Sequence, residues 1–221
     1  MRRIIGAAFV SLDGVMQGPG GPSEDWTGGF RFSGWLPPVG DAVIEDKIGE
    51  LFGRPFDLLL GRRTYDIFAA FWPYASDAMA GIRDPFNACT KYVVTHRDQP
   101  LAWDNSKRID TVEALRAIKQ SDGPDLVIQG SSTLYPQLLE ADLLDELTLM
   151  MSPLILGDGK RLFGTGTPPR TLRMTDHRVS AGGNIVATYH PAGPVETGTY
   201  ATGEPSEREQ ARQAAIAEGR W

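Results

Sequence analysis

The chain of 221 residues carries 28 Asp and Glu against 22 Lys and Arg, a net charge of -6, and is 41% hydrophobic. A chain of this size can bury a full core in one domain, and its negative charge argues against nucleic acid or an anionic membrane as the main partner, so a cationic site has to be local. Cys89 is the only cysteine and there are only three histidines, which excludes a disulfide framework and argues against a Cys- or His-based metal centre.

Arg3 to Ser11 reads as a buried strand. Its apolar run is too short for a secretion signal and meets Ser11-Leu12-Asp13-Gly14 instead of a cleavage site. No stretch is long and apolar enough to span a membrane, and the expectation is a cytoplasmic protein. Residues 12–40 are rich in Gly, Pro and aromatics, Trp26 and Trp35 among them. A loop of that length in a compact domain is usually functional. Asp41 to Phe52 reads as a helix with Ile44, Ile48, Leu51 and Phe52 on one side, closed by Gly53 and Pro55. Asp57 to Leu60 is a strand and Thr64 to Phe71 a helix, followed by a loop or irregular helix as far as Cys89. Strands follow at Lys91 to Thr95 and near Lys107 to Ile109, then a helix over Thr111 to Gln120. Asp125 to Gln129 is a strand, Ser132 to Glu140 a helix and Glu146 to Pro153 a strand. Arg170 to Arg178 and Asn184 to His190 form an antiparallel pair around Ala181-Gly182-Gly183.

Alternating strands and helices predict an α/β fold, a largely parallel sheet covered on both faces, with the last two strands antiparallel. The expected division is one domain over residues 1–190 and an arm over 191–221, where Ser206 and Glu209 have the spacing of a capping box before a short Ala-rich helix.

Three strand ends carry donors. Gly61-Arg62-Arg63-Thr64 places two guanidiniums and a hydroxyl at a helix start, where free N–H groups and the dipole attract anions. Thr64 as a plain N-cap with solvated arginines is the competing reading. Gly130-Ser131-Ser132-Thr133 offers a second such turn, for which ordinary capping competes. Thr95-His96-Arg97 ends a third strand. Ligands of open α/β sheets bind at this carboxyl edge, so the three ends together predict a nucleotide or dinucleotide site. The Gly-x-Gly-x-x-Gly fingerprint is missing, so it is not an ordinary Rossmann site. Asp41 and Glu45, four apart, share one face of their helix and are candidates for a proton donor or substrate clamp; complementing the helix dipole is the alternative, above all for Asp41. Asp13 suits a turn or a cleft residue. Leu156-Gly157-Asp158-Gly159 reads as a tight turn.

These segments, in order, resemble the dihydrofolate reductase-like superfamily. The resembling residues are Ser11 to Gly14, Gly61 to Tyr65, Val93 to Arg97, Ile128 to Tyr135, Asp145 to Leu147 and Pro153 to Gly159, spread over roughly residues 3 to 190. The nearer likeness is to the reductase domain of the bacterial riboflavin-biosynthesis deaminase–reductase and its stand-alone relatives. The resemblance implies a three-layer α/β/α reductase that binds extended NADPH. By matching position, Arg62, Arg63 and Thr64, on the turn opened by Gly61, hold phosphates of the cofactor. Thr95, His96 and Arg97 face the 2′-phosphate, Gly130, Ser131, Ser132 and Thr133 the pyrophosphate, and backbone groups of Ala8 and Phe9 the nicotinamide carboxamide. The family's Gly-Gly pair is Gly130-Ser131 here, and whether that bond is cis is open. The pterin-binding acid of dihydrofolate reductases has no clean match; Glu45 and Asp41 both compete for it. A zinc deaminase signature is missing, which leaves only the reductase step. The implied reaction is hydride transfer from NADPH to a small heterocycle, by default a ribosylaminopyrimidinone phosphate, with Asp13, Asp41 and Glu45 orienting substrate or relaying a proton. A dihydrofolate or pterin reductase and a non-catalytic nucleotide-binding paralogue are the alternatives. A homodimer is expected from the resemblance and the arm.

Overall fold

The computed structural model describes residues 1–221. Eight strands form one sheet: β1 (Ile4–Ser11), β2 (Phe56–Gly61), β3 (Lys91–Val94), β4 (Ser106–Ile109), β5 (Asp125–Gln129), β6 (Glu146–Ser152), β7 (Leu172–Val179) and β8 (Ile185–Pro191). Their order is β4-β3-β2-β5-β1-β6-β8-β7. The first six are parallel, while β8 runs antiparallel to β6 and to β7. All donor-rich turns named above therefore fall on one edge. The helices are α1 (Ala42–Phe52), α2 (Arg62–Phe71), α3 (Ala80–Ala88), α4 (Val112–Gln120), α5 (Tyr135–Glu140) and α6 (Glu207–Ala217).

The period-2 alternation of β1 assigns the two faces. Ile4, Ala8 and Val10 join Leu115 of α4 and Tyr135, Leu138 and Leu139 of α5 in one core layer. Ile5 and Ala7 join Ile44, Leu51 and Phe52 of α1, Tyr65 of α2 and Phe86 of α3 in the other. β1 and β2 are apolar and buried almost throughout, as strands covered on both faces must be.

Element boundaries follow local chemistry. Asp41 sits at the N-cap of α1 instead of inside it. Ser132–Leu134 form a 3-10 turn, and α5 starts only at Tyr135 with Pro136 in its first turn, where a missing N–H costs nothing. Residues 72–79 hold two 3-10 turns before α3. The Ser206 hydroxyl accepts from Glu209 N–H, but the Glu209 carboxylate turns to Arg212 and Gln213, so only half of the capping box forms. Residues 192–194 bond back to Thr171, whereas the hydrogen bonds of residues 199–221 are internal to that stretch.

At Gly6, in the centre of β1, an added Cβ would lie 2.7 Å from Tyr135 Cε1 and 2.9 Å from its hydroxyl. That hydroxyl is buried without a partner. Gly6→Ala is expected to destabilise the fold by about 1–3 kcal/mol through overpacking. Tyr135→Phe, which removes an unsatisfied polar atom, should leave stability unchanged or raise it. Urea unfolding of both variants checks this pair of signs.

Candidate functional site

β2 and β5 are neighbours, and their carboxyl ends are joined. The Gly61 N–H donates to Ser131 Oγ at 2.9 Å in a buried bond. Gly130 and Ser131 both have positive φ, 80° and 55°, so the chain turns sharply as β5 ends. The structure has no cis peptide bond, so Gly130-Ser131 is trans. An ideal Cβ on Gly130 would lie 3.9 Å from Thr64 and 3.4 Å from Met16, which places the α2 start, this turn and the segment after β1 around one point.

Gly61 offers no side chain to cap α2, so the first-turn N–H groups at Arg62, Arg63 and Thr64 lack helical acceptors. The two arginines differ. Arg62 bonds Asp66 at 2.8 Å and the Gln99 carbonyl at 2.9 Å, strapping α2 to the segment after Thr95-His96-Arg97. Arg63 is exposed and forms no ion pair, as is Arg97. The third end is therefore tied to the first through Arg62, and the free cations are Arg63 and Arg97.

Beside these ends lies a cavity of about 220 Å³ lined by Val94, His96, Thr111, Leu134, Gln137 and Leu138, with Asp110 and Glu113 also on its wall. Of these, only His96 stands out in the sequence as a candidate ligand contact; the others carry no local signal of a site. Only the crossing of β3, α4 and α5 brings them together.

β5 stops pairing with β1 at Ala7–Gln129, whereas β6 follows β1 to Ser11. The Ala7 carbonyl accepts from Gly130 N–H at 2.9 Å. By alternation, the backbone groups of Phe9 face the same side, past the end of β5, and those of Ala8 face β6.

The carboxylates have distinct settings. Asp13 accepts from Ser11 Oγ at 2.6 Å and from the Leu156 and Gly157 N–H groups at 3.1 and 2.9 Å. The Leu156–Gly159 turn is thus the partner of Asp13. The Ser11 hydroxyl, helped by these two amides, draws the Asp13 carboxyl down to about 2. Asp41 Oδ2 accepts from Asn184 Nδ2 at 2.9 Å, and hydrogen bonds from Ser180 and Asn184 lower its pKa. Glu45 is exposed and has no side-chain partner. The 12–40 segment is anchored too. Lys160 Nζ reaches Asp25 at 2.7 Å, Trp35 Nε1 donates to the Gln17 carbonyl at 2.9 Å, and Val15, Phe30 and Trp35 form a small core of their own. Trp35 is buried there, while Trp26 stays exposed.

Residues 2–188 match the RibD C-terminal domain. The chain belongs to the RibD C-terminal domain family. This RibD-type chain is 24% identical over 196 residues to YyaP of Bacillus subtilis, an uncharacterized protein, covering 86% of this chain and 95% of that one. Its fold matches a Shewanella sp. PV-4 protein ascribed to riboflavin biosynthesis, with a TM-score of 0.63 at 19% identity over 86% of this chain and 99% of the other. It also matches dihydrofolate reductase from Enterococcus faecalis, solved with NADP(H), with a TM-score of 0.52 at 17% identity over 86% and 96% of the two chains. The fold is thus dihydrofolate reductase-like. No helix is long and apolar enough to cross a membrane.

Asp13 stabilises the folded RibD-type chain as an anion. Its folded value of about 2 lies below the unfolded value of ~3.9, so this stabilisation is present above the unfolded value and lost as pH falls through the folded one. Asp13→Asn sets an amide against backbone donors and should melt below the wild type at neutral pH. The gap should close between about pH 4 and pH 2; a gap unchanged across that range in thermal melts contradicts the assignment.

Proposed function

We propose that this RibD-type chain is an NADPH-dependent reductase of the riboflavin-biosynthesis kind, acting on a ribosylaminopyrimidinone phosphate. The observation that carries this reading is the joining of three donor-rich strand ends into one rim, through the Gly61–Ser131 bond and the Arg62–Gln99 strap. The donor set fits a dinucleotide. Arg63, the first-turn amides of α2, Thr64, Ser132 and Thr133 suit phosphates. The neighbouring slot with His96 and Gln137 suits a nucleobase. Arg97 suits the 2′-phosphate, and it must outweigh Asp110 and Glu113 on the same slot. Phe9 offers its N–H and C=O to the carboxamide beyond the end of β5.

When bound, NADPH supplies the hydride, and the protein's part is binding, orientation and electrostatics. Asp13 and Asp41, both held below the ordinary carboxylate range, are anions at neutral pH, which suits orienting a substrate and not protonating it. Glu45, unpartnered on the first turn of α1, is then the carboxyl available to pass a proton. The 12–40 segment, pinned by Lys160 and Trp35, shields the substrate end from water.

The test is cofactor binding followed by turnover. Tryptophan quenching should show NADPH binding more tightly than NADH. Arg63→Gln and Arg97→Gln should each weaken NADPH about tenfold, the ~1.4 kcal/mol scale of a charge-assisted contact, with Arg97→Gln sparing NADH. NADPH oxidation should then depend on the pyrimidine phosphate and fall in Glu45→Gln. Oxidation with dihydrofolate alone would select a pterin reductase, binding without oxidation a non-catalytic paralogue, and no micromolar NADPH binding would sink the reading.

We infer a homodimer as well. β7 is the edge of the sheet and leaves Met174 and Val179 exposed, and the 191–221 arm exposes Val195, Tyr200, Ile216 and Trp221. Light scattering should give twice the chain mass for the full protein. A monomer both for it and for a chain cut after His190 refutes the dimer.

A further inference from the structure

Arg97 stands on residues 95–105, the connection from β3 to β4, and this connection is tied down at three points. Before Arg97, Thr95 Oγ1 accepts the Arg97 N–H at 3.1 Å. After it, the Gln99 carbonyl accepts from Arg62 at 2.9 Å and from Arg108 at 3.3 Å. The third tie is Trp103, where the connection enters the core. Its Nε1 donates to Asn87 Oδ1 at 2.8 Å, and its ring faces the Lys91 ammonium at 4.4 Å. Its N–H donates to the Tyr65 hydroxyl at 2.9 Å in a buried bond.

Tyr65 belongs to the other side of the site. It follows Thr64 in the first turn of α2. The Arg62 guanidinium lies 5.9 Å from the centre of its ring. One side chain thus supports both links between the first strand end and the third: its ring lies beneath Arg62, which holds Gln99, and its hydroxyl holds Trp103. The hydroxyl is fully used. Ser106 Oγ gives its single proton to the Trp103 carbonyl at 2.5 Å, so in its 3.3 Å contact with Tyr65 the phenol is the donor. Three groups close a ring of hydrogen bonds, Trp103 N–H to Tyr65, Tyr65 to Ser106, and Ser106 back to the Trp103 carbonyl. Each member of such a ring polarises the next. Tyr65 is only 2% exposed, so it acts on a ligand through the residues it holds.

We propose that Tyr65 is the positioning residue of this site: through Trp103 and Arg62 it fixes where Arg97 stands relative to the first turn of α2, and so gives the site its preference for a dinucleotide with a 2′-phosphate. The inference rests on the reductase reading above and adds to it a residue that does not touch the ligand. Without the hydroxyl, the Trp103 N–H is a buried donor that has lost its acceptor. The connection relieves this by shifting Trp103 toward water, and Arg97, six residues earlier, shifts with it.

The experiment is calorimetric titration of NADPH and NADH into the full chain. Tyr65→Phe, which keeps the ring beneath Arg62, should weaken NADPH about fivefold while NADH changes less than about twofold, since only the 2′-phosphate uses Arg97. In an Arg97→Gln background the same substitution should cost NADPH less than about twofold, because the group it positions is gone. Equal weakening of NADPH and NADH by Tyr65→Phe marks a merely structural role and overturns the proposal. So does an NADPH-to-NADH ratio that stays at the wild-type value, or a loss that persists undiminished beside Arg97→Gln. Should Tyr65→Phe fail to fold, Ser106→Ala opens the same ring of hydrogen bonds and is read in the same cycle, with an expected NADPH loss of about threefold and the same overturning results. A wild type that binds neither dinucleotide removes the reductase reading and this proposal together; NADPH binding with an unmoved ratio removes this proposal alone.

Discussion

A single buried hydrogen bond, from the Gly61 N–H to Ser131 Oγ, makes one site out of two strand ends. It lies where α2 starts and β5 stops. Ser131 reaches it by taking a left-handed conformation, φ 55°, at a cost of roughly 1 kcal/mol for a residue other than glycine, which a buried hydrogen bond of similar size offsets. Because this bond sets the separation of β2 and β5 at their ends, it also sets the separation of the α2 amides from Ser132 and Thr133. Arg62 extends the constraint to the third end by spending its guanidinium on Asp66 and the Gln99 carbonyl. The cations left to bind a ligand, Arg63 and Arg97, therefore project from a frame that other residues hold rigid.

The opposite half of the cleft is organised by carboxylates that serve as acceptors. Asp13 gathers the Ser11 hydroxyl and two amides of the Leu156–Gly159 turn. Asp25 does the same for Lys160 and Thr27. These bonds fix the 12–40 segment to the chain following β6, and the segment packs Trp35 and Phe30 into a small cluster with Val15 that Phe9, Leu154 and Leu156 cover. The aromatics of this segment thus divide into a supporting core and an exposed rim, a division that spacing alone does not reveal.

Much of the frame could be read from the sequence. The apolar runs of β1, β2 and β5, with Gly61 and Gly130 at their ends, are strong local signals, because fully buried parallel strands leave little choice of residue. The alternation of strands and helices gave the parallel sheet, and Ala181-Gly182-Gly183 gave the antiparallel hairpin. Less was legible where local signals compete: Pro136 delays α5, and two 3-10 turns precede α3. At the site, the donor-rich ends were visible as motifs. Which arginine was free was not, because the Arg62 partners include Gln99, 37 residues away.

The sequence by itself determined which residue types stand at the ends of the parallel strands, since strand, turn and helix start are written in neighbouring positions. It also determined that those ends carry cations and hydroxyls in a chain of net charge -6. The tertiary structure alone decided what each polar group faces. Asp13 meets a turn more than 140 residues away, and Asn184 meets Asp41 and Val39 at a comparable separation. Hydrogen bonds across such distances depend on strand order and register, which no local pattern encodes.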